Sequence, residues 1–134
     1  MLSPDTRTLY TSALTPPSGY VYDFGVATTF SLDLTTLLTI PVHLALLGQG
    51  RAEELLQDSV RVLEAIRRIT DRTTVYVQRG RMQVPSATHL LYGLLEPVVV
   101  EVRAPKRGGL FHPKIWVLRF KPTDSEPVPP LIRV

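Results

Sequence analysis

Three histidines stand in the 134-residue chain, and one of them, His112, is followed two positions later by Lys114. A strand running from Leu110 to Phe120 would place both side chains on one face, because side chains alternate with period two. That placement suits phosphoryl chemistry. An imidazole can attack phosphorus and carry the phosphoryl group covalently, while an ammonium beside it binds the non-bridging oxygens. The spacing is cheap when taken alone, so its surroundings must carry the argument, against the plain alternative of two ordinary strand residues. Pro113 removes a backbone donor between them and favours a strand edge or a locally unpaired bond. His43 falls in an apolar helical stretch and His89 beside Leu90 and Leu91, so both read as structural.

Other groups are weaker candidates. Thr29, Ser31 and Asp33 lie at a strand-to-helix turn, where hydroxyls and free helix N–H groups could meet a phosphate. Ordinary helix capping is the commoner use of such residues. Trp116 shares the parity of His112 and Lys114 and reads as a core or sheet-face aromatic. Gly48-Gln49-Gly50 has no Gly-Lys-Ser/Thr ending and reads as a helix connector. The chain has no cysteine, which excludes thiol nucleophiles, disulfides and Cys-ligated metals. Asp23 and Asp33 do not stand at metal-ligand spacing from any histidine, so no metal or other cofactor is expected.

The elements that must hold these groups follow from pattern. Tyr20 to Phe30 carries the β-branched and aromatic mixture of a strand. Ser31 or Asp33 can cap a helix over Leu34 to Leu47, which Pro41 should kink or divide. Arg51 to Thr70 reads as an amphipathic helix with Leu55, Leu56, Ser59, Val60, Leu63 and Ile66 in one stripe. Thr73 to Gln78 is a compact strand ended by Arg79-Gly80-Arg81. Ser86 to Leu95 reads as a short helix stopped by Pro97, and Val98 to Val102 as a strand. Leu110 to Phe120 is expected to be another strand, paired antiparallel to that one. The fold class is therefore α/β: a small mixed sheet of about four strands flanked by helices, partly parallel because helices join the early strands. Residues 1–19 form an irregular lead-in, 20–121 the α/β domain, and 122–134 a Pro-rich tail or linker.

A formal charge of +3 permits a polyanionic partner without requiring one. Its distribution is more informative. Arg103, Lys106, Arg107, Lys114, Arg119 and Lys121 follow one another with no acid among them, which reads as either a solvated basic edge or an anion-facing surface. The first residues lack a signal-peptide pattern, so a cytoplasmic location is the default expectation. Leu32 to Leu47, the longest apolar-leaning stretch, is too short and too interrupted by Asp33, Pro41 and His43 to span a bilayer.

His112-x-Lys114 within an apolar stretch, preceded by Gly and Phe, resembles the start of the His-Lys-Asp motif of the phospholipase D superfamily. The segment Tyr22 to Asp33 is similar to the first strand and turn of bacterial phospholipase D-like and nuclease-like proteins. The resemblance spans roughly residues 20 to 121 and implies a phospholipase D-like fold with metal-free phosphodiester chemistry. It implies a phosphodiester substrate, and the basic stretch Arg103 to Lys121 with the lack of an amphipathic membrane helix favours DNA or RNA over lipid, without deciding between them. In such a site two His-x-Lys pairs act together, one histidine as nucleophile and the other as acid for the leaving group. His112 would be nucleophile or acid and Lys114 a phosphate ligand, with a homodimer or a missing C-terminal half supplying the second pair. Two departures stand out: Arg119 occupies the position of the motif's Asp, and the Gly-Ser and Asn of the next turn have no counterpart before Val134. A non-catalytic anion- or nucleic-acid-binding module on the same scaffold is the alternative that these departures favour.

Overall fold

The structure, a computed structural model, describes residues 14–47, 59–86, 90–123 and 128–134. The Gly48–Gly50 connector, the first part of the amphipathic segment (51–58), His89 and most of the lead-in (1–13) lie outside the described residues, as do the side chains of some α1 residues, His43 included. In chain order the elements are β1 (Tyr20–Thr29), β2 (Leu32–Asp33), α1 (Leu34–Leu47), α2 (Ser59–Thr70), β3 (Thr73–Gln78), β4 (Met82–Gln83), a 3₁₀-helix (Leu90–Val98), β5 (Val99–Val102), β6 (Ile115–Pro122) and β7 (Leu131–Arg133).

The architecture is mixed α/β. Five strands form one mixed sheet in the order β5-β3-β1-β6-β7, and β2 pairs with β4 in a separate two-stranded ribbon. β5, β3 and β1 run parallel, while β6 is antiparallel to both β1 and β7. Crossovers between parallel strands are right-handed, and the steps β1 to β3 and β3 to β5 move the same way along the sheet. Both connections therefore lie on one face, where α1, α2 and the 3₁₀-helix pack on one another. Beneath them Ala27, Val75, Val77, Leu118 and Phe120 are buried with Leu37, Ile40, Leu44, Ile66 and Leu95. The opposite face carries Val26, Tyr76, Val100, Val117 and Ile132, of which Val100, Val117 and Ile132 are exposed.

Local chemistry explains most boundaries. Asp33 Oδ1 accepts the Thr35 N–H (2.8 Å), so Asp33 is the residue that caps α1. α1 continues through Pro41 instead of dividing there. The buried stripe of α2 is Ile66 and Ile69, flanked by half-buried Val62 and Ala65, whereas Val60 and Leu63 are exposed. It is rotated from the stripe expected, with Ile69 and not Leu63 turned into the core, and just past the helix Thr73 Oγ1 donates to Ile69 O (2.6 Å). The helix described before β5, Leu90–Val98, is 3₁₀ and runs past Pro97, and residues 87–89 of the span expected lie outside the described residues. Proline's fixed φ suits a 3₁₀ turn.

Two strand expectations change. The sheet has a fifth strand, β7, inside the segment read as a tail. Residues 110–114 are not strand, and β6 pairs with β1, not with β5. Within β1, Asp23 is an extra residue: Tyr22 pairs with Phe120 and Phe24 with Arg119, so the ladder bulges between them.

Candidate functional site

His112 and Lys114 both sit in the irregular stretch leading into β6 and both are exposed, so the strand alternation expected to put them on one face does not set their direction. The stretch is held at its two ends. Phe111 N–H donates to Gln78 Oε1 (2.7 Å) at the end of β3, and Ile115 N–H donates to Thr28 Oγ1 (3.1 Å) near the end of β1. With these donors turned to side chains and Pro113 lacking one, the ladder cannot extend to His112. The segment instead crosses the carboxyl ends of β1 and β3, the edge at which open α/β sheets bind ligands.

His112 is placed by an aromatic contact. Its ring lies 4.9 Å from that of Phe30, tilted by 49°, and the Arg81 guanidinium carbon stands 5.1 Å from the centre of the same phenyl ring. Phe30 follows the last residue of β1, and Arg81 follows the left-handed Gly80 (φ 73°) after β3. His112 makes no side-chain hydrogen bond among the described residues, so both imidazole nitrogens are open to solvent or ligand.

Two concavities flank this segment. The first, about 420 Å³, is lined by Gln78, Arg79, Arg103, Lys106, Arg107 and the Gly108-Gly109 turn. Four cations converge there. Gly108 is left-handed (φ 78°) and Gly109 N–H donates to Lys106 O (2.9 Å), which folds Lys106 and Arg107 back beside Arg103. The nearby Glu101 carboxylate accepts the Gly80 N–H (3.1 Å). Gln78 joins this hollow to the His112 segment, because it lines the one and holds the other.

The second concavity, about 310 Å³, opens between the end of β1 and the start of α1. Thr29, Ser31, Asp33, Thr36 and Gln83 contribute polar groups, and Leu37, Ile40, Val75 and Trp116 the apolar wall. Thr29 and Ser31 thus come together, yet Thr29 Oγ1 donates to Ser31 O (2.8 Å) and the Asp33 carboxylate stands at the helix start. That negative charge makes this end of α1 poorly suited to a phosphate.

The basic run from Arg103 to Lys121 is divided by the fold. Arg103, Lys106, Arg107 and Lys114 gather near the carboxyl edge. Arg119 is four residues along β6, about 13 Å at roughly 3.3 Å per residue, and its Nε donates to Asp23 Oδ2 (2.6 Å). The departure at Arg119 is accordingly separate from the His112 segment. Phe30, Gln78, Arg79 and Arg81 had no expected role in the sequence. Of these only Arg79 carried a signal: like Arg103, it stands directly after a parallel strand, where such strands deliver their ligand-facing residues. Comparison with protein-family models, curated proteins and solved structures gives no match to this chain.

Proposed function

We propose that the chain is a phosphodiester-binding unit of the nuclease-like, phospholipase D-like kind, contributing one His-x-Lys half to a site completed by a second half. The observation that carries this reading is the His112 segment pinned across the carboxyl ends of β1 and β3 beside a four-cation hollow. Lys114 and the hollow would hold phosphate oxygens. A His112 ring nitrogen would attack phosphorus, forming a P–N bond as the bond to the leaving oxygen breaks. The leaving oxygen would take a proton from the second half's histidine. Water would then attack phosphorus, give its proton back to that histidine, and release His112 as the P–N bond breaks. No step needs a metal.

Open nitrogens on His112 fit a nucleophile, and Arg119 fits a structural role through Asp23. The non-catalytic module remains the second reading, favoured by the hollow itself, which can hold a polyanion without His112.

The test is hydrolysis of short DNA, RNA and phosphatidyl substrates in chelator by the protein that carries this chain, with trapping of an acid-labile phosphoryl group on His112. Activity and trapping should vanish in His112→Ala, while oligonucleotide binding persists and weakens in Lys114→Ala. Full activity in His112→Ala would overturn the catalytic role. Salt-dependent binding with no hydrolysis in any assembly would select the binding module.

A further inference from the structure

Resting on that phosphodiester reading, we infer that the Trp116 concavity is a base subsite, which takes an unpaired nucleobase carrying an exocyclic amine while the adjoining phosphates face Lys114 and the basic hollow. Its chemistry differs from that of the hollow in the way the two parts of a nucleotide differ. No described Lys or Arg lines it, and its one formal charge is the Asp33 carboxylate, so it repels phosphate. At about 310 Å³ it lies at the small end of ligand pockets, enough for a ring system. An acyl chain fits poorly, since the Ser31 hydroxyl, the Asp33 carboxylate and the Gln83 amide would lose water to an apolar ligand. A flat heterocycle fits well. Trp116 offers aromatic surface, backed by the buried Leu37, Ile40 and Val75, and the hydroxyls, amide and carboxylate offer donors and acceptors to a base edge.

Position agrees with this. Thr29 and Ser31 flank Phe30, on which His112 packs, and Trp116 follows Lys114 by two residues. A base seated in the concavity would leave its sugar and phosphate at the His112 segment. Asp33 Oδ1 is used by the Thr35 N–H, but the carboxylate has further acceptor sites to receive an amine, as carboxylates do from cytosine. A seated base must be unstacked, so the preferred strand is single.

Trp116 is the chain's single tryptophan, so its fluorescence reports this concavity alone. The full chain is titrated with oligo(dC), with oligo(dT), with an abasic strand of the same phosphate count, and with cytidine, ribose and phosphatidylglycerol vesicles. Oligo(dC) should quench Trp116 and bind roughly tenfold more tightly than the abasic strand, which binds without quenching. Cytidine should quench at millimolar concentration and ribose should not. Asp33→Asn, which keeps a capping side chain, should erase the preference for dC over dT but not the salt dependence. Equal, salt-dependent binding of normal and abasic strands overturns the base subsite and leaves the phosphodiester reading standing. Cytidine quenching without any oligonucleotide binding overturns the phosphodiester reading and keeps a nucleoside pocket. Quenching by vesicles alone overturns the base assignment in favour of lipid.

Discussion

Replacing Gly25 by alanine should test how tightly β1 is locked to β3. A Cβ at Gly25 would stand 2.5 Å from the Tyr22 hydroxyl and 3.1 Å from Leu118 Cδ2. The tyrosine cannot simply swing away. Its hydroxyl lies 2.7 Å from Thr73 Oγ1 and 3.2 Å from Arg72 O, and its ring meets Phe120 edge-on at 6.4 Å. Recovering an ordinary contact means moving that oxygen by about 1 Å, which breaks the bond to Thr73. Overpacking costs about 1–3 kcal/mol, the lost hydrogen bond about 1, and the stiffer unfolded chain returns about 0.5. The net loss is about 2–3 kcal/mol, or a fall of roughly 10 °C in Tm. Tyr22→Phe alone should cost about 1 kcal/mol, because Thr73 keeps its bond to Ile69 O. In the Tyr22→Phe background the 2.5 Å clash is gone, so Gly25→Ala should cost about 1 kcal/mol or less. Urea denaturation of the four proteins closes the cycle. Additive losses, within about 0.5 kcal/mol, would refute the proposed clash as the cause.

Three further outcomes follow from the same contacts. Burial pushes the Tyr22 hydroxyl up to about 12, against an ordinary value near 10, with smaller opposing help from Thr73. Its contribution is complete below pH 10 and is lost between pH 10 and 12, by about 3 kcal/mol at most; alkaline denaturation should show this in the wild type and not in Tyr22→Phe. Asp33→Ala should lower stability by about 1 kcal/mol through the lost α1 cap, while Asp33→Asn stays near wild type in thermal melts. Replacing Arg103 and Lys106 by glutamine should weaken single-stranded oligonucleotide binding and flatten the plot of log affinity against log salt by about 0.7 per lost phosphate contact. An unchanged slope would remove the hollow from the binding surface.

Much of the scaffold could be read along the chain because its cues are local. β3, rich in β-branched residues, and α1 after Asp33 appear at the bounds expected, and the parallel pairing follows from helical crossovers. The errors fall where partners are distant. Leu110 and Phe111 look like strand, but Gln78, 33 residues earlier, takes the Phe111 N–H and bends the segment away. β6 alternates well enough to announce a strand, yet nothing in it names β1 as its neighbour. α2 carries two overlapping apolar stripes, and the one that is buried, with Ile66 and Ile69, is set by packing against distant segments. The candidate site was legible as a pair of residue types and illegible as a place. His112 and Lys114 stand out by chemistry, whereas the two concavities are assembled from segments up to 87 residues apart, from Thr29 to Trp116, and leave no mark in any one of them.

The bulge in β1 makes that strand one residue longer than its ladder needs. Asp23 is the spare: without it, Tyr22 and Phe24 would pair with Phe120 and Arg119 in unbroken alternation. Deleting Asp23 should therefore keep Ala27 and Gly25 inward and leave the Thr29 end in step, at the cost of the ion pair with Arg119. Deleting Phe24 would also keep the register, since Asp23 would then stand opposite Arg119, whereas deleting any residue from Gly25 to Thr28 would turn part of the strand inside out. Length variation in β1 is thus absorbed at the Asp23–Phe24 bulge and disruptive beyond it, and an aligned relative one residue shorter at the bulge would still present the same carboxyl edge.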